Sequence, residues 1–151
     1  MKEYYISSKT LAIVPYEEKF SEIIEIGRRL IVKRRPNIII KHNCIYNGST
    51  LAGRLEGTYN LTGYSYKAPI LINNKEGDIF FPTTSMRLKE CCWINSAKIK
   101  TYESISNDEC NIIFYDGSSI KINQSSYIIN NQILKSLRLD SILRNLWPQK
   151  A

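Results

Sequence analysis

The chain has 151 residues, of which 43% are apolar and 23% charged; this is typical of a folded protein and excludes the composition of a disordered one. Its net charge of +7 is uneven, because residues 1–50 carry nine basic and five acidic side chains, residues 51–100 carry seven and four, and the rest carry five of each. There is neither a signal-peptide pattern nor an apolar run of the roughly 18 residues of a membrane helix, so we expect a single cytoplasmic domain over residues 1–151 with no membrane partner.

Short apolar runs separated by Gly, Pro, Asn and Asp predict antiparallel strands through residues 1–123. The clearest signal is Asp116-Gly117, which lies between two β-rich runs and predicts a tight hairpin over residues 111–122. The other predicted strands, in chain order, are 11–16, 22–32 with a bend at Gly27, 38–41, 58–64, 70–72, 79–81 and 97–102.

After residue 123 the apolar spacing changes to that of a helix. Apolar side chains from Ile129 to Leu146 recur at helical intervals and Pro148 follows, which predicts a C-terminal amphipathic helix over residues 124–147. The sequence is compatible with one continuous helix or with a helix broken near Leu139. The apolar stripe, which includes Leu137, Leu143 and Leu146, fits packing either on the chain's own sheet or on a second copy of the chain. The predicted fold class is α+β, with a mainly antiparallel β-sheet or a partly open barrel and the C-terminal helix.

The sequence offers little for catalysis. His42 is the only histidine, the vicinal pair Cys91-Cys92 lacks the two-residue gap of zinc sites, and neither a phosphate-binding nor a dinucleotide-binding glycine motif is present. We therefore expect no enzyme activity, no cofactor and no metal site.

The segment RRLIVKRR carries Arg28, Arg29, Lys33, Arg34 and Arg35 without an acidic residue. The positive excess favours a polyanionic partner such as nucleic acid. On a strand, Arg29 and Lys33 face one side and Arg28 and Arg34 the other, which predicts an exposed edge. Such a strand either contacts phosphates or protects a sheet edge with charge.

Arg54 stands between Gly53 and Gly57, among many hydroxyl side chains. Glycines let a backbone approach a ligand closely, and a narrow, negatively charged groove attracts an arginine presented from a loop. The composition also fits an ordinary turn-rich connector.

Six short segments between residues 43 and 100 resemble, in order and spacing, the core of the ComK family of bacterial competence transcription factors. They are Cys44 with Tyr46 and Gly48-Ser49, AGR at 52–54, GTY at 57–59, KAPILI at 67–72, FFPT at 80–83 and CWI at 92–94.

This resemblance implies a DNA-binding transcriptional activator of DNA-uptake genes that works at the nucleoid with RNA polymerase. It implies recognition of paired AT-rich boxes, of the AAAA and TTTT kind, chiefly through the minor groove, by homodimers that assemble into a tetramer. Longer members continue past the position of Trp147, in a region associated with higher-order assembly and with capture by the adaptor MecA for Clp proteolysis. We therefore do not extend the MecA and Clp contact to this chain.

Within this resemblance Arg54 is the first candidate for insertion into the minor groove, whose narrow form in A-tracts concentrates negative potential. A second set of cations is assigned to phosphates: Lys67, Arg87, Lys89, Lys98 and Lys100, with residues 28–35 as a further patch.

Two other functions fit the composition. A β-barrel protein that binds RNA or single-stranded nucleic acid would stack bases on Tyr59, Tyr64 and Tyr66. A regulator without a nucleic-acid partner would only dimerise, through its C-terminal helix.

Overall fold

The structure, a computed structural model, describes residues 3–147. Its α-helices are α1 (Pro36–Tyr46), α2 (Leu51–Thr62) and α3 (Ser126–Leu146), and a short 3-10 turn spans Ser96–Lys98. Its strands are β1 (Thr10–Tyr16), β2 (Phe20–Glu25), β3 (Arg28–Val32), β4 (Ile70–Leu71), β5 (Ile79–Pro82), β6 (Trp93–Asn95), β7 (Ile99–Ser106), β8 (Glu109–Phe114) and β9 (Ser119–Ile122).

The strands form two antiparallel sheets. The larger has the order β3-β2-β1-β6-β5-β4, and the smaller has the order β7-β8-β9. The predicted α+β class and the C-terminal helix are confirmed, but the alternative of a partly open barrel is wrong, because β3 and β4 lie at opposite edges of the larger sheet and do not pair. Trp93, Phe80 and Phe81 are fully buried at the centre of that sheet, on its two faces.

Two turns explain how the hairpins form. The predicted strand over 22–32 is two strands, β2 and β3, because Gly27 has a φ of +80° and reverses the chain between the paired residues Glu25 and Arg28. The hairpin over 111–122 is confirmed as β8 and β9. Its turn contains Gly117 at a φ of +90°, and the Asp116 carboxylate accepts hydrogen bonds from the backbone N–H and hydroxyl of Ser118.

The predicted strand over 38–41 is wrong, because these residues belong to helix α1. Pro36 occupies the first turn, where its fixed φ suits a helix and its missing N–H costs nothing. The buried residues Ile39, Ile40, Asn43 and Cys44 have the spacing of a helix rather than that of a strand. Tertiary burial of this face outweighs the β-preference of the isoleucine run.

The predicted strand over 58–64 is also wrong, because residues 51–62 form helix α2. Thr50 caps its start by accepting a hydrogen bond from the N–H of Gly53 at 2.9 Å. Gly63 ends it with a φ of +83°, the left-handed conformation common just after a helix. Gly53 and Gly57 are therefore helical residues and do not form a flexible loop.

Helix α3 runs over 21 residues without a break and packs against β5 and α2. Its buried face is formed by Ile129, Gln132, Ser136, Leu139 and Leu143. Leu143 is only 9% exposed, so it covers the chain's own sheet and is not available to a second copy, whereas the side chains at 137 and 146 are exposed.

Within residues 3–147, none of the helices has the length and apolarity that a bilayer span requires.

Candidate nucleic-acid interface

The predicted loop position of Arg54 is wrong. Arg54 lies in the first turns of α2 and is half-buried. Its guanidinium donates to Asn74 Oδ1 at 3.2 Å and to the carbonyl of Asn47 at 3.4 Å, and its Nε is buried without a partner among the described residues. These contacts hold Arg54 against its own protein, and insertion into a DNA groove requires both hydrogen bonds to break.

The basic segment 28–35 is divided between three environments. Arg28 and Arg29 lie on the edge strand β3 and pair with carboxylates, Arg28 with Glu25 at 2.6 Å and Arg29 with Glu22 at 3.8 Å. Lys33 and Arg34 follow in a bend, so the predicted strand alternation of these two residues is wrong. Arg35 is the residue before α1.

Lys98 and Lys100 lie elsewhere, where the 3-10 turn leads into β7. Strand β7 is an edge of the smaller sheet. Neither lysine lines the hollows that carry Lys67, Arg87 and Lys89, so the structure does not join Lys98 and Lys100 to those predicted phosphate contacts.

Three adjoining hollows bring the remaining predicted cations together. The first, of ≈ 360 Å³, is lined by Arg35, Arg87 and Lys89. The second, of ≈ 610 Å³, shares Arg87 with the first and adds Lys67. The third, of ≈ 430 Å³, shares Lys67 with the second and adds Lys135. We call this surface the basic band, and its cations are Arg35, Arg87, Lys89, Lys67 and Lys135.

The loop between β5 and β6 is fixed to helix α1 by Asn37. The Asn37 amide donates to the carbonyl of Met86 at 2.5 Å, and its Oδ1 accepts from the indole N–H of Trp93 at 2.9 Å. Because Asn37 lies in the first turn of α1, these hydrogen bonds place Arg87 beside Arg35 across one hollow.

The charges of the basic band are not offset by ion pairs. Its hollows contain three acidic residues, Glu17, Glu18 and Glu56, beside five basic ones. None of the four ion pairs found among residues 3–147 involves a cation of the band. Two further hollows on the molecule contain equal numbers of acidic and basic residues. The band is thus the hollow surface best suited to a polyanion.

Lys67 has an unusual backbone. Its φ of +49° is left-handed, a conformation that non-glycine residues rarely adopt and that costs on the order of 1 kcal/mol. The buried amide of Gln132 donates to the carbonyl of Lys67 at 2.9 Å and to that of Pro82 at 2.7 Å, and so holds this conformation. Such strain persists only where the surroundings impose it, and it concentrates at functional sites.

Tyrosine rings flank the cations. Tyr59 and Tyr66 are 55% and 64% exposed beside the second hollow. The Nζ of Lys67 lies 5.5 Å from the ring centre of Tyr66, and the Nζ of Lys135 lies 5.5 Å from that of Tyr64. Burial and the neighbouring charge of Lys67 lower the pKa of Lys135.

The cysteines are placed as small core residues. Cys44 and Cys91 are buried, and burial raises the pKa of Cys44 to about 11 although the Arg54 charge lowers it. Within the described part of the chain, no group of three or more His, Cys, Asp and Glu side chains is arranged to hold a metal ion.

Sequence reasoning missed Lys135 and Gln132. The sequence held no clear signal for them, because the buried face of α3 passes through residues 129, 132, 136, 139 and 143, of which Gln132 and Ser136 are polar, whereas the predicted apolar stripe includes 137 and 146. A buried amide needs hydrogen-bond partners, so a buried Gln132 indicates that another segment is hydrogen-bonded to this turn of α3. Lys135 lies three residues further, on the same side.

Comparison with known proteins identifies the family. A family model described as ComK protein matches residues 1–146. The chain is also 29% identical, over 139 residues, to the competence transcription factor of Bacillus subtilis (strain 168), and this alignment covers 90% of the chain and 72% of that protein. No solved structure matches. The relative is a transcription factor, which is not a class of enzyme. Because the family model spans residues 1–146, this chain belongs to the ComK family.

Proposed function

We propose that this chain is a DNA-binding regulator that activates the transcription of competence genes, and that its basic band holds the duplex. The observation that carries this proposal is the run of five cations along three adjoining hollows, none of them in an ion pair among residues 3–147. Family membership supports the regulatory role, since the similar Bacillus subtilis protein is a competence transcription factor. Phosphate contacts by such cations release counterions and supply a large share of the affinity for duplex DNA.

The preference for AT-rich boxes is assigned to arginines of the band. A-tracts have a narrow minor groove with enhanced negative potential, which favours an exposed arginine. Arg35 and Arg87 are exposed and line one hollow, and of the two only Arg35 donates a side-chain hydrogen bond, to the carbonyl of Glu18 at 3.3 Å, whereas Arg54 is half-buried and is held by two hydrogen bonds. We therefore assign the groove-reading role to Arg35 and Arg87. The earlier assignment of this role to Arg54 stays an untested prediction.

The other predicted contacts lie outside the band. Lys33, Arg34, Lys98 and Lys100 are assigned to peripheral phosphates, which a bent or longer duplex reaches. The charges of Arg28 and Arg29 are offset by carboxylates on an edge strand, which fits protection of the sheet edge against aggregation.

Paired boxes require two copies of the chain. A homodimer, with a tetramer on a promoter and contact with RNA polymerase, is the assembly that this function needs. Leu137 and Leu146 remain exposed on α3 for a contact between copies. Sedimentation of the free chain and of its complex with a two-box duplex counts the copies, and one chain on a two-box duplex would contradict this assembly.

Competition binding tests the function. A labelled duplex with AT-rich boxes is displaced by the same unlabelled duplex, by a GC-rich duplex of equal length, and by each single strand. We expect the AT-rich duplex to displace best, because it combines backbone phosphates with a narrow groove. Equal displacement by the GC-rich duplex would remove the sequence preference, and the absence of displacement by any nucleic acid would remove DNA binding.

A second candidate function is the binding of single-stranded nucleic acid. It is favoured by the exposed rings of Tyr59 and Tyr66 beside Lys67 and Arg87, because unpaired bases stack on aromatic side chains next to cations. The barrel on which this function was first based is not present. If single strands displace better than the duplex in the same competition, and Tyr66→Leu removes their advantage, this second function is the correct one.

A further inference from the structure

Helix α3 reaches the basic band at two positions one turn apart. The Gln132 amide, which is buried, donates to the carbonyl of Lys67 at 2.9 Å. The Lys135 ammonium donates to the carbonyl of Tyr66 at 3.1 Å. Two consecutive carbonyls of the segment before β4 are thus held by one helix face.

Lys67 and Lys135 share the third hollow. That hollow has a volume of ≈ 430 Å³, is flanked by the rings of Tyr64 and Tyr66, and is lined by no acidic residue. Two ammonium groups in one hollow repel each other, and this repulsion, together with burial, contributes to the lowered pKa of Lys135. A bound anion replaces the repulsion with attraction.

We propose that Lys67 and Lys135 together bind one phosphate group, and that Gln132 is the positioning residue that keeps Lys67 in its left-handed conformation. An ammonium group has three donors, so Lys135 keeps its hydrogen bond to Tyr66 and still offers two donors to phosphate oxygens. This inference rests on the proposed function where it assigns the phosphate to a DNA backbone. Free inorganic phosphate is the other source of the same chemistry.

The first test neutralises each lysine while keeping its apolar stem. The variants are Lys67→Met, Lys135→Met and the double change, with Arg138→Met as control, because Arg138 is an exposed cation on the same helix and lines none of the band's hollows. The affinity for an AT-box duplex is measured over a series of salt concentrations.

The slope of log K against log salt is negative, and its magnitude increases with the number of phosphate contacts. If both lysines bind one phosphate, the double change lowers this magnitude by no more than about 0.9, the value for a single contact. Each single change lowers it by a part of this amount, and Arg138→Met leaves it unchanged. A loss of about 1.8 in the double variant means two separate phosphates and overturns the proposal. A wild-type slope in Lys135→Met, or an equal loss in Arg138→Met, overturns it as well.

The second test addresses Gln132. Gln132→Met removes the two N–H donors but keeps the length of the side chain, and thermal unfolding monitors whether the fold is retained. A folded variant should lose the same part of the slope as Lys67→Met, although both lysines are present. Addition of Lys67→Met to it should then cause no further loss. A folded Gln132→Met with the wild-type slope contradicts the positioning role, and the lysine variants still test the phosphate site if this variant does not fold.

Inorganic phosphate distinguishes the two sources. At constant ionic strength it displaces the duplex from the wild type, but not from Lys135→Met, if the site accepts free phosphate. If the site takes only backbone phosphates, inorganic phosphate displaces the duplex from neither the wild type nor Lys135→Met, and the slope losses are then the only support for the site. If the wild type binds no duplex, the proposed function fails by itself, and nuclear magnetic resonance of the lysine side chains with inorganic phosphate then tests the site. No response at either lysine refutes it.

Discussion

Arg87 is the residue whose neutralisation most directly measures the contribution of the basic band. It lines two of the three hollows, is exposed, and forms none of the ion pairs found among residues 3–147. Arg87→Met therefore removes a charge without leaving a buried partner behind. Since only its backbone N–H donates a hydrogen bond, to the Ser85 hydroxyl, and its side chain makes none within the described residues, stability should change by less than about 0.5 kcal/mol.

The magnitude follows from the number of cations. If all five cations neutralise phosphates, with Arg35 and Arg87 doing so from the minor groove between the two backbones, one bound chain has a slope of log K against log salt of about −4.5, and its affinity falls by about 500-fold between about 50 and 200 mM salt. Arg87→Met leaves four contacts, a slope of about −3.6 and a loss of about 150-fold over the same range. The variant is thus weaker at low salt, and the two affinities converge as salt increases.

Fluorescence anisotropy with an AT-box duplex at several salt concentrations measures both slopes. Arg144→Met is the matched control, because Arg144 is an exposed arginine that is paired with Asp140 at 2.8 Å and lies away from the band. The control should keep the wild-type slope. An unchanged slope for Arg87→Met, or an equal decrease for Arg144→Met, would refute the assignment of the phosphates to the band.

Three stability predictions test the fold around this site by chemical denaturation. Gly57→Ala should raise the free energy of unfolding by roughly 0.5–1 kcal/mol, because the residue is helical and an added methyl group meets no atom within 4 Å. A destabilised variant would instead favour the loop that the sequence predicts here. Asn43→Leu should lower it by about 2 kcal/mol or more, because the buried amide accepts from the N–H of Ile6 and donates to two carbonyls, and a neutral effect would mean that water replaces these bonds. Burial raises the pKa of Glu25, but the hydrogen bonds from Tyr4 and Arg28 together lower it by more than burial raises it. The pKa of Glu25 in the folded chain therefore lies below the ordinary value. The stability that Glu25 contributes is complete above the ordinary glutamate pKa and is lost as the pH falls through the lowered value. Between about pH 6 and pH 3, the free energy of unfolding should therefore fall less in Glu25→Gln than in the wild type. An unchanged pH profile would contradict this role.

Local turn chemistry made part of the fold predictable. The β8–β9 hairpin was predicted because Asp116-Gly117 carries its own geometry, and α3 because its apolar spacing extends over five turns. Residues 38–41 of α1 and the segment 58–64, most of which belongs to α2, were predicted as strands, and the glycines around Arg54 were predicted to form a loop, because an isoleucine run and two glycines oppose helix formation locally. Their start signals, Pro36 and Thr50, agree with the helices that tertiary packing stabilises.

The candidate site was predictable only in its residue types. Lys67, Arg87 and Lys89 were assigned to phosphates, but nothing in the sequence joins them with Arg35, which lies far away along the chain. The fold joins them through the hydrogen bond of Asn37 to the carbonyl of Met86. Lys98 and Lys100 looked equivalent in sequence, but they lie at the start of the smaller sheet and line none of the band's hollows.

Mapping of the backbone amide shifts tests the central claim most directly. The isotopically labelled chain is titrated with an AT-box duplex, and the change at each amide is compared with that caused by salt alone. We expect the largest changes at residues 64–68 and 85–89, which carry Lys67, Arg87 and Lys89 of the basic band. Unchanged amides in both segments, with responses around Arg54 or at the β7–β8 turn instead, would contradict the placement of DNA on this surface.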